Sequence, residues 1–373
     1  MQAGIARNYW TLARWLGPWA SETARPTVAR RPVRIEARAA GDRDLDAWLY
    51  LPTDRPVFGA YLISPGLHYA GPSDPRLDRF CAIVAASGFL VFAPFVPDYT
   101  SLRVQATAIG DLDRAFGTLL ELPELPRGLR PGVFSVSFGS LLALRLAAAP
   151  ERADQIGGLV LFGGYADWTK TIHFCLTGEI DGVRHGTRDP LNQPVVFMNL
   201  MDYMDDKPDD PEPLFAAWRA YVEATWGRPE MKAEAAYRAA AATIEPTLPE
   251  SLRQWFRIGV GTEPGALERC TAALGRLGAS HDFLDPRPHL AGIRCPVHLI
   301  HGVDDDVIPY PQSLEIAAAL PPHVDAQVYL TGLYGHTAKA GLGSRLREAP
   351  AMAKELWTMI RMLNAMLRTG ARR

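Results

Sequence analysis

A serine, an aspartate and a histidine each follow a run of β-forming residues in this chain. Ser137 lies in the pentapeptide SVSFG, between the β-formers of residues 131–136 and an apolar helical stretch that begins near Phe138. A serine on a sharp strand-to-helix turn, flanked by small residues, is typical of a nucleophile elbow. Ser135 stands where glycine is usual, and Gly139 is the second small residue. An N-cap serine is the alternative interpretation.

An acid and a base for this nucleophile follow later in the chain. Asp305 comes three residues after Gly302, which lets the chain turn away from the strand HLIHG, and His336 follows the strand VYLTG. In a triad the histidine accepts the serine proton and the carboxylate fixes the histidine tautomer. The neighbouring Asp304 and Asp306 are expected to cap the turn or face solvent. A turn aspartate and a surface histidine are the alternatives.

An oxyanion hole for this chemistry needs backbone N–H groups near the serine. The segment ISPGLHYAG, residues 63–71, leaves a strand through a Pro-Gly turn. We expect the N–H groups of Leu67 and Phe138 to be the donors, while His68 either touches substrate or is a loop residue. Ser64 is a rival nucleophile, but the bulky Leu62 stands where an elbow requires a small residue.

The elements that must position these residues alternate between strands and helices. Two half-buried strands joined by the turn GDRD come first, and six apolar strands at residues 57–64, 89–95, 131–137, 157–163, 296–302 and 326–332 follow, with helices between them. Apolar strands that alternate with helices predict a mostly parallel, eight-stranded sheet with helices on both faces. The serine, the acid and the histidine would then share its carboxyl edge, where such sheets place their active sites.

Between residues 165 and 295 the strand pattern gives way to helical segments, which predicts a helical insertion over the sheet. Seven large apolar side chains in it suggest an apolar pocket: Trp168, Phe174, Phe197, Met198, Met201, Tyr203 and Met204. The expected organisation is an N-terminal amphipathic helical segment (1–30), the first part of the core (31–164), the helical cap insertion (165–295) and the second part of the core (296–373).

Composition limits the function classes. The chain has 373 residues, 48 % of them hydrophobic, and a formal net charge of −2, which predicts a globular protein without an electrostatic footprint for nucleic acid. Its four cysteines match no metal-binding spacing, which favours free thiols and a cytoplasmic location. The N-terminal segment, with Trp10, Trp15 and Trp19, either docks on its own domain or a partner subunit, or makes weak contact with a membrane surface.

The motifs SPGLHYAG, SVSFG, HGVDDDVIP and GLYGHT together resemble those of the α/β-hydrolase superfamily, which includes carboxylesterases and dienelactone-hydrolase-like enzymes. The resemblance covers residues 31–164 and 296–370, and the insertion occupies the usual place of the cap. It implies an α/β-hydrolase fold with Ser137 as nucleophile, Asp305 as acid and His336 as base. It implies no metal and no organic cofactor.

These observations predict a serine hydrolase that cleaves a small-molecule carboxylic ester, with an apolar group, through an acyl-enzyme intermediate. The same triad also serves thioesterases, amidases, peptidases and acyltransferases. A non-catalytic ligand-binding protein with this fold is the alternative from a different class.

Overall fold

Eight strands form one sheet in the computed structural model, which describes residues 2–16, 23–332 and 349–372. Its order is β1-β2-β4-β3-β5-β6-β9-β10. Only the β1–β2 and β2–β4 pairs of this sheet are antiparallel. The strands are β1 (Ala29–Ile35), β2 (Leu45–Leu51), β3 (Gly59–Ser64), β4 (Phe89–Pro94), β5 (Gly132–Val136), β6 (Gly158–Phe162), β9 (Val297–Gly302) and β10 (Ala326–Thr331). The predicted mostly parallel, eight-stranded sheet is confirmed.

Helices outside the insertion connect these strands and cover both faces of the sheet. They are α1 (Gln2–Leu16), α2 (Pro75–Ala86), α3 (Pro97–Thr100), α4 (Thr107–Glu121), α5 (Gly139–Ala148), α13 (Pro311–Ala319) and α14 (Ala349–Thr369). Alternate side chains of one strand point to opposite faces. Leu62 of β3 therefore packs in the core beneath α4 and α5, whereas its neighbours Tyr61 and Ile63 pack in the core beneath α1, α2 and α14.

Helix α2 shows how local sequence fixes these elements. Asp74 caps its first turn, because the Asp74 carboxylate accepts hydrogen bonds from the backbone N–H groups of Arg76 and Leu77. Pro75 suits the first helical position, where a backbone donor is not needed. After the helix, Gly88 adopts a φ of +107°, which favours glycine and lets the chain reverse directly into the fully buried β4.

Between β6 and β9 the chain forms seven helices and a small hairpin. The helices are α6 (Trp168–Thr177), α7 (Gln193–Leu200), α8 (Glu212–Thr225), α9 (Pro229–Ala233), α10 (Tyr237–Ile244), α11 (Glu250–Gly259) and α12 (Ala266–Leu274), and the hairpin pairs β7 (Glu179–Ile180) with β8 (Val183–Arg184). Residues 230–244 are rich in helix-forming residues but do not form one helix. The chain breaks between α9 and α10 because Ala235 has a φ of +52°, which a continuous α-helix does not allow.

The first helix packs on the rest of the molecule in the structure. Leu12 and Ala13 are buried in the same core as the apolar faces of α2 and α14, and Trp15 is partly buried against it. Trp10, in contrast, is 63 % exposed. Trp19 lies outside the described residues. Among the helices that the structure describes, none is both long and apolar enough to cross a membrane.

Candidate active site

Ser137 occupies a strained turn at the carboxyl end of β5. Its φ of +52° lies in the left-handed region, which costs a non-glycine residue on the order of 1–3 kcal/mol. The Ser137 N–H donates to the Phe162 carbonyl oxygen at 2.8 Å, and the Ser137 carbonyl accepts from the Ser140 N–H at 3.0 Å. Ser137 is half-buried, in contrast to the fully buried residues of β5 that precede Val136.

The small residues around the turn allow α5 to approach the end of β3 closely. A Cβ atom at Gly139 would lie 2.4 Å from the Ser64 carbonyl oxygen and 2.5 Å from that of Pro65. A Cβ atom at Gly66 would lie 3.2 Å from the Val136 carbonyl oxygen. Backbone atoms cannot yield as a flexible side chain does. Glycine at position 139 is therefore a packing requirement of the turn that holds Ser137.

The rival serine has a different environment. Ser64 is fully buried at the end of β3, and its hydroxyl donates to the Gly139 carbonyl oxygen at 2.7 Å. This hydrogen bond ties β3 to the first turn of α5. Ser64 therefore has a structural role beside the elbow, and its hydroxyl does not reach a surface that a substrate could approach.

The two expected oxyanion donors lie on either side of Ser137. Leu67 follows Gly66, which approaches the elbow, and Phe138 follows Ser137 directly. Among the described residues, neither the Leu67 N–H nor the Phe138 N–H donates to a protein acceptor. The Phe138 carbonyl accepts from the Tyr99 hydroxyl at 3.0 Å, which helps to hold this peptide in place. Within the part of the chain that the structure describes, both N–H groups are therefore without a protein acceptor.

Asp305 lies in the loop of residues 303–310, which we call the acid loop and which joins β9 to α13. Its Oδ1 atom accepts hydrogen bonds from the Val307 and Ile308 N–H groups, both at 2.9 Å. Its Oδ2 atom lies 3.3 Å from where a Cβ of Gly163 would be, just beyond β6. Ser137 follows β5 and Asp305 follows β9, with β6 between these two strands, so both residues lie at the same edge of the sheet, two strands apart.

The other two aspartates of the acid loop differ from each other. Asp304 is exposed, as expected. Asp306 neither caps the turn nor faces open solvent, because it forms a salt bridge with Lys232 of α9. Burial raises the pKa of Asp306, although the Lys232 ammonium opposes this shift. The turn is instead capped by Asp305 itself, whose side chain is the right length to reach the two following N–H groups.

A buried histidine supports the acid loop from below. His301, the fifth residue of β9, is fully buried. Its Nε2 atom lies 2.7 Å from the Ile308 carbonyl oxygen and 3.5 Å from Asp305 Oδ2, and its Nδ1 atom lies 2.7 Å from Ser313 Oγ. Because a carbonyl can only accept, Nε2 carries a proton, and the ring holds the Ile308 end of the Asp305–Ile308 turn.

The expected base, His336, lies outside the described residues. Up to that point, the structure places the end of β10 beside the acid loop: the Val303 N–H donates to the Thr331 carbonyl oxygen at 3.0 Å. Glu355 of α14 accepts hydrogen bonds from the Thr331 hydroxyl and the Gly332 N–H. Gly332, the last described residue before His336, therefore lies at the same sheet edge as Ser137 and Asp305.

His68 is part of the structure of the loop after β3. Its Nδ1 atom accepts from the Ala70 N–H at 3.2 Å, so the neutral ring carries its proton on Nε2, which lies 3.3 Å from Asp74 Oδ2. Burial lowers the pKa of His68, while the Asp74 carboxylate acts in the opposite direction. The ring also stacks on Tyr69. These contacts fix the loop that carries the Leu67 N–H.

Aromatic side chains line the elbow on the side of the insertion. The Phe138 ring lies 5.3 Å from the Tyr165 ring and 5.7 Å from the Trp168 ring, centroid to centroid. Trp168 is one of the seven apolar residues expected to form a pocket. Five of the seven are buried in the core that covers this face of the sheet: Trp168, Phe197, Met198, Met201 and Met204. Phe174 is also fully buried. Tyr203 is partly buried, and its hydroxyl lies 2.7 Å from His281 Nε2.

A cavity of about 350 Å³ lies at the opposite edge of the sheet from Ser137. It is lined by residues that precede β6, β9 and β10, namely Gly157, Pro296 and Asp325.

No group of three or more metal-ligating side chains occurs among the described residues. In the acidic loop of residues 201–212, Asp205 and Asp206 pair with Arg276 and Arg269.

Four features of the site were not identified from the sequence. Gly163, with a φ of +64°, gives Asp305 room beside β6, and the Gly-Gly pair at residues 163–164 was the available signal. His301, Lys232 and Asp189 contact the acid loop. Nothing in their local sequence indicates these contacts, since Lys232 and Asp189 lie in a distant part of the chain.

Comparison with known proteins gives structural likeness only. No family model matches the chain, and no curated protein matches it in sequence. Acylaminoacyl peptidase of Pyrococcus horikoshii is 14 % identical with a TM-score of 0.47; the match covers 93 % of this chain and 42 % of the peptidase. An esterase of Pyrococcus furiosus is 13 % identical with a TM-score of 0.47, and the match covers 92 % of each chain. The 2-hydroxy-6-oxo-6-phenylhexa-2,4-dienoate hydrolase of Rhodococcus sp. strain RHA1 is 16 % identical with a TM-score of 0.42, covering 88 % of this chain and 99 % of that one. This chain thus spans about two fifths of the length of the peptidase.

The class of the protein follows from its own topology. An antiparallel leading strand pair, the order β1-β2-β4-β3-β5-β6-β9-β10 and a serine elbow after the fifth strand define the α/β-hydrolase fold. Within that fold, this chain carries a large helical segment between β6 and β9 and a helix before β1.

Proposed function

We propose that the protein is a serine hydrolase that cleaves a carboxylic ester through an acyl-enzyme intermediate. Ser137 is the nucleophile, His336 the general base and Asp305 the acid that orients it. The main support is the left-handed backbone of Ser137, a strained and half-exposed serine at a strand-to-helix turn. A serine that only capped a helix would have no need of this conformation, because N-cap residues adopt ordinary extended angles.

In the proposed reaction, the Ser137 oxygen attacks the ester carbonyl carbon and its proton passes to His336. The resulting oxyanion accepts hydrogen bonds from the Leu67 and Phe138 N–H groups. When the tetrahedral intermediate collapses, the carbon–oxygen bond to the alcohol breaks, and His336 gives its proton to the departing alkoxide. A water molecule, deprotonated by His336, then hydrolyses the acyl-enzyme and releases the acid.

We also propose that the substrate carries an apolar acyl or alcohol group, because the rings of Phe138, Tyr165 and Trp168 adjoin the elbow.

A cytoplasmic location is also proposed. All four cysteines are buried and free, and this usage fits a reducing compartment.

The test is covalent labelling with a fluorophosphonate, which reacts with an activated serine. The unmodified protein and the Ser64→Ala variant should both become labelled, whereas Ser137→Ala should not. Hydrolysis of p-nitrophenyl butyrate should fall by several orders of magnitude in Ser137→Ala, as triad deletions do. Labelling that survives in Ser137→Ala and disappears in Ser64→Ala would place the nucleophile on β3 and overturn the assignment.

A further inference from the structure

We propose that Lys232 and Asp306 form a positioning pair through which the helical segment between β6 and β9 holds the catalytic acid Asp305 in place. The inference rests on the proposed function, since it assigns Asp305 to the triad. It goes further by giving this segment a part in catalysis besides covering the site. Lys232 and Asp306 act through Asp305 and do not themselves touch the reacting atoms.

Three contacts from the segment reach consecutive residues of the acid loop. The Lys232 ammonium forms a salt bridge with the Asp306 carboxylate. The Asp189 N–H donates to the Asp306 carbonyl oxygen at 2.8 Å, and the Cys175 thiol donates to the Val307 carbonyl oxygen at 3.4 Å. The helical segment therefore contacts both the side chain and the backbone of Asp306, the residue that follows Asp305.

Lys232 also links Asp189 of the helical segment to Asp306 of the acid loop. Its ammonium lies 3.2 Å from Asp189 Oδ2 as well as in contact with Asp306. The side chains of Lys232, Asp306 and Asp189 are 25 %, 23 % and 15 % exposed, so the three charges are largely shielded from water. Without Lys232, the Asp189 and Asp306 carboxylates would lose the cation that they share, and the acid loop would have to move to separate or hydrate them.

The core holds the same turn from the opposite side. His301 binds the Ile308 carbonyl oxygen, and Asp305 binds the Val307 and Ile308 N–H groups. These core contacts fix the end of the turn, whereas the segment contacts fix its middle. A displacement of Asp306 is transmitted directly to Asp305 because the two are neighbours in the chain. A displacement of about 1 Å at a catalytic group can cost about 10²-fold in rate.

A second lysine of the same segment provides a matched control. Lys170 of α6 binds Glu315 of α13 at 2.8 Å, and these side chains are 31 % and 29 % exposed. This pair also joins the segment to the core and is similarly shielded, but its partner lies outside the acid loop. A role that is only structural would be shared by both lysines, whereas a positioning role belongs to Lys232 alone.

The experiment measures kcat and KM for p-nitrophenyl butyrate in Lys232→Met, Lys232→Arg, Asp306→Asn, Lys170→Met and Asp305→Asn. We expect Lys232→Met to lower kcat by about 10- to 100-fold with KM changed less than about twofold. Lys232→Arg should recover most of the loss because it restores the charge. Asp306→Asn should also lower kcat, and combining it with Lys232→Met should add little, since the two residues act as one unit. Lys170→Met should leave kcat within about twofold.

The outcomes separate this inference from the proposed function. If Lys232→Met and Lys170→Met behave alike while Asp305→Asn abolishes turnover, the positioning pair is wrong and the triad stands. If Asp305→Asn leaves kcat unchanged, the acid assignment itself fails, and the pair fails with it. If Lys232→Met does not fold, Asp306→Asn answers the question, because it removes the charge with almost no change of shape.

Discussion

Asp304 and Asp305 are adjacent residues with the same chemistry and different surroundings. Asp304 is exposed beyond the end of β9, whereas Asp305 accepts two backbone N–H groups with one oxygen and keeps the other beside Gly163 and His301. Hydrogen bonds to Oδ1 fix the direction of Oδ2. The second oxygen is therefore held in a fixed direction just beyond the end of β6.

This difference predicts that replacing aspartate with asparagine lowers kcat far more at position 305 than at position 304. Asp305→Asn should lower kcat on the order of 10⁴-fold, because an amide disfavours the working histidine tautomer, as in the serine-protease triad. Asp304→Asn should change kcat by less than about twofold, as most exposed substitutions do. Both values come from initial rates with p-nitrophenyl butyrate at neutral pH. A larger loss at Asp304 than at Asp305 would reassign the acid while leaving Ser137 in place.

At the scale of elements, the elbow depends on how closely α5 approaches the end of β3. Gly139 begins α5, and its missing side chain is what allows the Ser64 and Pro65 carbonyl groups to lie against it. The Ser64 hydroxyl bonds back to the Gly139 carbonyl and fastens the same junction. The position of Ser137 thus follows from the contact between two elements as well as from its own residue type.

Gly139→Ala should therefore lower the free energy of unfolding by about 1–3 kcal/mol, the usual cost of overpacking. It should also reduce fluorophosphonate labelling of Ser137. Gly110→Ala is the matched control, because position 110 is exposed on α4 and a Cβ there would meet nothing within 4 Å. That variant should gain about 0.5–1 kcal/mol from helix propensity. Urea denaturation measures both. An unchanged stability in Gly139→Ala would contradict the close approach.

At the scale of the whole molecule, α1 extends the α/β-hydrolase fold before its first strand. Leu12 is fully buried in the core formed with α2 and α14, and Ala13 lies beside it. Arg7 on the same helix pairs with Asp54, which follows β2. Trp10 of α1 is exposed, so its ring could contact a partner subunit or a membrane surface.

Docking of α1 predicts that Leu12→Ala lowers the free energy of unfolding by about 2–5 kcal/mol, as for other buried leucines. Trp10→Ala should change it by less than about 0.5 kcal/mol. Equilibrium urea unfolding followed by circular dichroism measures the two variants. Equal, negligible effects would show that α1 is not part of the folded core. Co-sedimentation of the Trp10→Ala variant with anionic vesicles tests the membrane contact separately, since it leaves the docked face intact.

Local sequence patterns predict the order of strands and helices, the eight-stranded sheet and the serine at the β5–α5 turn. These features depend on periodicity and on residue types within a few positions, such as the alternating strands or the small residues around Ser137. Such patterns do not record packing. Packing determines the burial of Ser64, the solvent exposure of Asp304 and the helix break at Ala235.

The partner of each aspartate, in contrast, depends on contacts between residues that are distant in the sequence. Lys232 and Asp306 are 74 residues apart, and His301 lies beneath a turn that begins four residues after it. Such contacts arise from how the helical segment folds back over the sheet edge. The free energy of a half-buried ion pair depends on distance and on exclusion of water. The residues on either side of Lys232 in the sequence fix neither quantity. The salt bridge between Lys232 and Asp306 therefore could not be predicted from the sequence.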